Sequence, residues 1–143
     1  MQFAYPARLD RHGPDEIVVS FRDLPECLTG DGTIAGALTE AQDALEEAIA
    51  GRIDDNRPIP DPSSPQPGEH LVTVPADMAA KAAFALAFRR SGLTRVALAG
   101  RLGIDEKSVR RMLDPRHGTA AGRIHNALRI LGADLVIELR RAS

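Results

Sequence analysis

The chain of 143 residues is 43% hydrophobic and 27% charged, with a formal net charge of −2 and a single cysteine. No apolar run approaches the roughly 18 residues that cross a bilayer, and Met1-Gln2-Phe3-Ala4-Tyr5-Pro6 lacks the order of a signal peptide. Cys27 alone excludes an internal disulfide, so a reducing, cytoplasmic location is expected, with no membrane partner.

The small net charge hides a division. Residues 1–70 carry 5 Lys/Arg against 14 Asp/Glu, a balance of −9, whereas residues 71–143 carry 13 against 6, a balance of +7. The basic half suits phosphates and the acidic half suits a basic protein, although the two halves attracting each other is also consistent with the split.

Phe3, Tyr5, Ala7 and Leu9 alternate with Ala4, Pro6, Arg8 and Asp10, and Ile17, Val19 and Phe21 alternate with Val18, Ser20 and Arg22. Period two on either side of Arg11-His12-Gly13-Pro14-Asp15 predicts a β-hairpin with one buried face. Cys27-Leu28-Thr29 is expected as a short third strand. Ile34, Leu38, Ala41, Leu45, Ala48/Ile49 and Ile53 then recur at three- and four-residue intervals, which predicts an amphipathic helix with Thr33 as its N-cap. Residues 56–69 hold five of the ten prolines, so this segment is expected to be extended, as a linker or a strap. Leu71-Val72-Thr73-Val74 returns as a strand. The expected organisation is an α+β domain over 1–55, extending to about 74, a Pro-rich linker or strap over 56–70, and a mostly α domain over 75–143.

The second half reads as a helix-turn-helix. A first helix runs from Asp77 to Ser91. Thr94 caps a second helix, with Leu93 and Leu98 as an apolar staple, and Gly103 turns the chain. Asp105 caps a third helix, with Ile104 and Val109 as its staple. Leu98, Leu102, Ile104, Val109 and Met112 form the wedge that fixes the angle between the helices, and Ala99 is small because the helices cross there. The outer side of the third helix presents Glu106, Lys107, Ser108, Arg110 and Arg111, residue types that reach base edges in a major groove. Thr94, Arg95, Arg116 and His117 flank the motif as candidate phosphate contacts. An ordinary helical core with a solvated charged face accounts for any single arginine among these, and helical domains of this kind also bind proteins. A further helix spans Ala120 to Gly132. Ala133 to Arg140 alternates like a strand, and pairing Leu135, Val136, Ile137 and Leu139 with a second copy predicts a homodimer or a higher even oligomer.

Catalysis is not expected. Asp10, Asp15, Glu16 and Asp23 show no spacing that marks a metal site. His12, His70, His117 and His125 are scattered, so zinc is not expected either. Cys27 reads as a small buried residue, no glycine loop for phosphates is present, and no cofactor is implied.

The run Val19-Ser20-Phe21-Arg22-Asp23-Leu24-Pro25-Glu26-Cys27-Leu28-Thr29 resembles the pattern V-S-F-P-D-L-P-G-C-x-T of HicB-type antitoxins. Ala37-Leu38-x-x-Ala41-x-x-Ala44-Leu45 and Pro58-Ile59-Pro60-x-Pro62-Ser63 follow as in that family. Arg110 to Thr119 and Ala127-Leu128-Arg129-x-Leu131-Gly132 are similar to its helix-turn-helix branch. The sequence departs from the pattern at Arg22 and Glu26, where Pro and Gly are common. The resemblance implies a reduced, inactive ribonuclease-H-like first domain that neutralises a basic HicA-type mRNA ribonuclease. It also implies a second domain that represses its own operon by binding double-stranded operator DNA. The toxin-facing candidates are then Phe21, Asp23, Leu24, Glu26, Asp31, Glu40, Asp43 and Glu47. The competing reading is a stand-alone helix-turn-helix regulator whose first domain senses a small ligand.

Overall fold

The hairpin forms where the period-two pattern places it. In the computed structural model, which describes residues 1–142, β1 (Ala4–Gly13) pairs antiparallel with β2 (Glu16–Phe21), with Ala7 opposite Phe21 and Leu9 opposite Val19. The register shifts between Arg11 and Gly13, so a bulge precedes the turn. β3 (Leu28–Asp31) adds to the far side of β2, and β4 (His70–Thr73) pairs with β1, giving the order β3-β2-β1-β4. The third strand starts one residue later than the pattern suggests, because Cys27 N–H closes the preceding turn onto the Leu24 carbonyl at 2.9 Å.

Among the described residues the chain is α+β, with a four-stranded antiparallel sheet and five helices. It divides into two compact units, one of residues 1–51 and 60–75 and the other of 52–59 and 76–142.

In the first unit Tyr5, Ala7, Ile17, Val19, Phe21 and Val72 are buried on one sheet face. α1 (Ile34–Asp54) contributes the buried row Ala37, Ala41, Leu45 and Ile49, the four-residue spacing of a single helix face. Its start is fixed by Thr33, whose Oγ1 accepts from Gly36 N–H at 3.0 Å. The Gln42 amide donates to the Thr73 carbonyl at 3.1 Å, tying the helix to β4. Ala4 and Pro6 are buried as well, so β1 is covered on both faces over Ala4–Ala7, where alternation predicts one. Residues 61–65 run beside Ala4 and Leu71 and line a shallow groove with them.

That proline-rich stretch is fastened by polar bonds. The Tyr5 hydroxyl donates to the Pro60 carbonyl at 2.7 Å. Ser63 donates its N–H and its hydroxyl to the two carboxylate oxygens of Asp23, at 2.8 and 2.6 Å. Arg22 donates to the Ser64 carbonyl at 2.6 Å and forms a two-pronged pair with Glu69. Prolines cannot pair with each other through N–H groups, so side chains of the sheet hold them instead.

The second unit contains α2 (Ala76–Ser91), α3 (Arg95–Leu102), α4 (Glu106–Leu113) and α5 (Ala121–Ile130). α2 packs on α5 and α4, and α3 packs on α4 and α5. Their shared core is Ala80, Phe84, Leu98, Ala99, Val109, Met112, Ile124, Ala127 and Leu128, with Leu102 and Ile104 partly buried against it. Residues 133–140 form no strand in the single chain. A lone strand has no ladder to join. Leu135 packs on its own chain's core, whereas Val136, Ile137 and Leu139 are exposed.

Two glycines of the first unit separate close approach from open space. A Cβ on Gly30 would sit 2.6 Å from the Ile17 carbonyl oxygen, a backbone atom that cannot swing away, while a Cβ on helical Gly51 meets nothing within 4 Å. Gly30→Ala is expected to destabilise by about 1–3 kcal/mol through overpacking. Gly51→Ala is expected to stabilise by about 0.5–1 kcal/mol through reduced unfolded-state entropy. Urea unfolding of both variants checks the opposite signs.

Candidate nucleic-acid interface

Two short helices carry exposed basic residues, and their N-terminal ends are capped by side chains. The Thr94 hydroxyl accepts from Ala97 N–H at 3.0 Å at the start of α3. The Asp105 carboxylate accepts from Ser108 N–H at 2.8 Å at the start of α4. The hydrogen bonds from Ser108 hold the Asp105 carboxyl below its usual range. Between the helices Gly103 adopts φ +68°, and Ile104 N–H reaches back to the Ala99 carbonyl at 3.1 Å. This is a left-handed closure that a residue with a Cβ resists.

Lys107, Arg110 and Arg111 are exposed on α4, while Val109 and Met112 on its other side are buried. Ser108 is half-buried. Glu106 is bracketed by Arg95 at 3.1 Å and Arg110 at 3.2 Å, which brings a residue of α3 beside two of α4. Thr94 and His117 are exposed, and Arg116 pairs with Asp54. In the loop after α4, Asp114 accepts from Arg116 N–H at 2.9 Å, a local turn that presents Arg116 and His117 together.

One participant is invisible to sequence reasoning. Lys81 of α2 is only 4% exposed, and its ammonium donates to the carbonyls of Arg111 at 3.1 Å and Met112 at 3.0 Å. It also donates to Thr119 Oγ1 at 2.7 Å. Lysine in a helix whose other inward residues are apolar reads as part of the wet face, and no spacing announces the carbonyls it meets.

The acidic candidates of the first unit divide differently. Phe21 and Leu24 are core residues, and both oxygens of Asp23 are taken by Ser63. Asp31 is exposed at the end of β3 and accepts from Thr33 N–H and hydroxyl, each at 3.2 Å. Glu26 is exposed on the turn before β3, and Glu40, Asp43 and Glu47 share one exposed stripe of α1. Cys27 is buried, and desolvation, with a smaller contribution from Glu26, pushes its thiol up to about 11. A thiol so raised is a poor nucleophile.

Burial lowers the Lys81 amine from the ordinary lysine value of 10.5 to about 8, with Asp114 opposing the shift and Arg123 adding to it. The folded state therefore holds this proton less tightly than the unfolded chain. Between about pH 8 and 10.5 the unfolded state binds more protons, so this group's contribution to stability rises with pH. The neutral amine still fits its site, donating twice to the carbonyls and accepting from the Thr119 hydroxyl. The stability of the wild type relative to Lys81→Met is expected to increase from pH 7.5 to 9.5, measured by urea unfolding at matched ionic strength.

The comparisons with known proteins agree with one another. Residues 4–83 match the model of the HicB-like antitoxin of bacterial toxin-antitoxin systems. Antitoxin HicB of Escherichia coli (strain K12) is 34% identical over 131 residues, covering 92% of this chain and 95% of that protein. Antitoxin HicB 2 of Photorhabdus laumondii is 37% identical over 131 residues, 92% of each chain. Antitoxin HicB of Pseudomonas fluorescens is 30% identical over 130 residues, 90% of this chain and 89% of that protein. The chain belongs to the HicB-like antitoxin family of bacterial toxin-antitoxin systems.

Proposed function

We propose that this antitoxin neutralises a basic HicA-type mRNA ribonuclease through its first unit, which reads as a reduced ribonuclease-H-like fold without catalysis. Its second unit represses the operon by binding operator DNA through α3 and α4 as a helix-turn-helix. The observation that carries the DNA reading is the α3–α4 pair: two side-chain caps and the Gly103 closure holding Lys107, Arg110 and Arg111 outward. It lies within the sequence half whose balance is +7. In this reading α4 enters the major groove, Arg110 or Arg111 contacts guanine, and Lys107 reaches guanine or phosphate. Glu106 orients Arg95 and Arg110 besides being able to accept from cytosine. Thr94, Arg95, Arg116 and His117 hold phosphates.

The toxin reading rests on the family and on charge. A ribonuclease that grips RNA presents a cationic surface, and Glu26, Asp31, Glu40, Asp43 and Glu47 give the first unit an exposed acidic complement. Phe21, Asp23 and Leu24 serve this surface by holding its scaffold. Family membership across 92% of the chain favours an antitoxin over a ligand-sensing regulator. The apolar side chains of Val136, Ile137 and Leu139 are exposed on the tail, and pairing of two tails supplies the two-fold symmetry that an operator mirrors.

The two roles are expected to separate under mutation. Arg110→Ala with Arg111→Ala loses about 10- to 100-fold in operator affinity per lost bidentate contact, while toxin neutralisation persists. Glu40→Lys with Asp43→Lys slows toxin association and leaves operator binding intact. Electrophoretic shifts and a messenger-cleavage assay measure both, and either pair abolishing both activities would sink the division of labour. Ile137→Asp is expected to shift the protein towards monomer in sedimentation velocity, and an unchanged mass distribution would exclude the tail as the dimer contact.

A further inference from the structure

We infer that Lys81 is the positioning residue of the DNA-reading surface, locking the C-terminal end of α4 and the loop after it into one element. This rests on the DNA-binding reading of α4 and adds a residue that does not itself face solvent.

α4 is a short helix. Its eight residues make about two turns, too few to persist by backbone hydrogen bonding alone. Its last four carbonyls lack partners within the helix. Asp114 N–H bonds the Arg111 carbonyl at 3.2 Å, and Lys81 reaches from α2 to two of the four, those of Arg111 and Met112. A cation is the right group there, since the carbonyl end of a helix carries partial negative charge. At 4% exposure the bonds form away from competing water.

The third bond extends the lock. Thr119 lies at the far end of the loop that carries Arg116 and His117, and its hydroxyl shares the same ammonium. Of the residues proposed to read bases, Arg110 therefore sits just before one anchor and Arg111 belongs to it, and Arg116 and His117, two of the four proposed to hold phosphates, lie between the two anchors. Arg111 takes part twice, its side chain exposed and its carbonyl held. Tilting α4 by a few degrees moves guanidinium groups at the ends of long side chains off the geometry that bidentate contacts require. Non-specific attraction to phosphates tolerates such a tilt, because it depends on charge rather than on angle. Lys81 thus acts on selectivity for sequence.

The test compares Lys81→Met and Thr119→Val with the wild type, using the full-length protein, its own upstream duplex and a scrambled duplex of equal length at fixed salt. Circular dichroism and thermal melting establish that each variant is folded at the assay temperature. For Lys81→Met the expected result is at least about a tenfold loss of affinity for the upstream duplex, the scale of one lost bidentate contact. Affinity for the scrambled duplex stays within about twofold, since a buried charge contributes little to phosphate attraction. Thr119→Val keeps the cap on α4 and frees only the loop, so a smaller loss of selectivity is expected, with faster amide exchange over residues 116–119. A role confined to stability would leave the ratio of the two affinities unchanged in folded protein. Folded Lys81→Met with wild-type selectivity overturns the proposal while leaving the DNA reading in place. Should Lys81→Met fail to fold, Thr119→Val with unchanged selectivity and exchange overturns it. A wild type that binds its upstream duplex no better than the scrambled one overturns both the DNA reading and this inference.

Discussion

The second unit depends on how a two-turn helix is held at both ends. Nucleating a helix costs more than its first hydrogen bonds return, so a segment as short as α4 takes its stability from outside. The Asp105 carboxylate satisfies the start, the buried Lys81 ammonium satisfies the end, and Val109 and Met112 fix one side to the core. Each anchor lies on the inner side or at a terminus. The remaining face is released from structural duty and carries Lys107, Arg110 and Arg111 without loss of fold. The ion pairs of Glu106 with Arg95 and Arg110 are exposed and contribute little stability, so their consequence is orientation.

The first unit obeys a different constraint. Over Ala4–Ala7 its strand β1 is buried on both faces, which leaves no room for charge there, and the ion pair Arg8–Asp10 begins where that cover ends. Carboxylates are displaced to the turn at Glu26, the end of β3 at Asp31, and the outer stripe of α1. Segregation of charge is therefore partly a consequence of packing and partly a resource, because it concentrates one sign where a partner can meet it.

The patterns of period two and of three to four residues marked the sheet and helices, and Thr94, Gly103 and Asp105 located both ends of α3 and the start of α4 to the residue. These signals are local: a cap and its acceptor lie within three positions. Lys81 gives no such signal, because its partners stand 30, 31 and 38 residues away, and hydrogen bonds to carbonyls leave no mark in side-chain composition. The buried outer face of β1 gives none for a related reason, since alternation reports one covered face and the second cover comes from the proline segment. In the tail, alternation marked Leu135 together with Val136, Ile137 and Leu139, yet Leu135 is packed on its own core.

The motif around Phe21 is made largely of residues that hold the fold. Phe21, Leu24 and Cys27 are buried, and Asp23 fastens the proline segment through Ser63, so these positions build the scaffold. The departure at Arg22 belongs to the same architecture. A proline there would fix the backbone torsion next to Phe21 but could offer no side-chain donor. Arg22 gives up that local stiffness and reaches 47 residues along the chain to a two-pronged pair with Glu69, holding the Ser64 carbonyl as well. The pair lowers the Glu69 carboxyl and raises the guanidinium in the directions that a bound pair requires. A local restraint has been exchanged for a long-range one that ends beside β4. The strap is thereby anchored through Asp23 and again through Arg22, neighbouring residues that bind opposite ends of a seven-residue stretch, Ser63 and Glu69. Substitution within the signature thus alters the means of holding the fold without changing what is held.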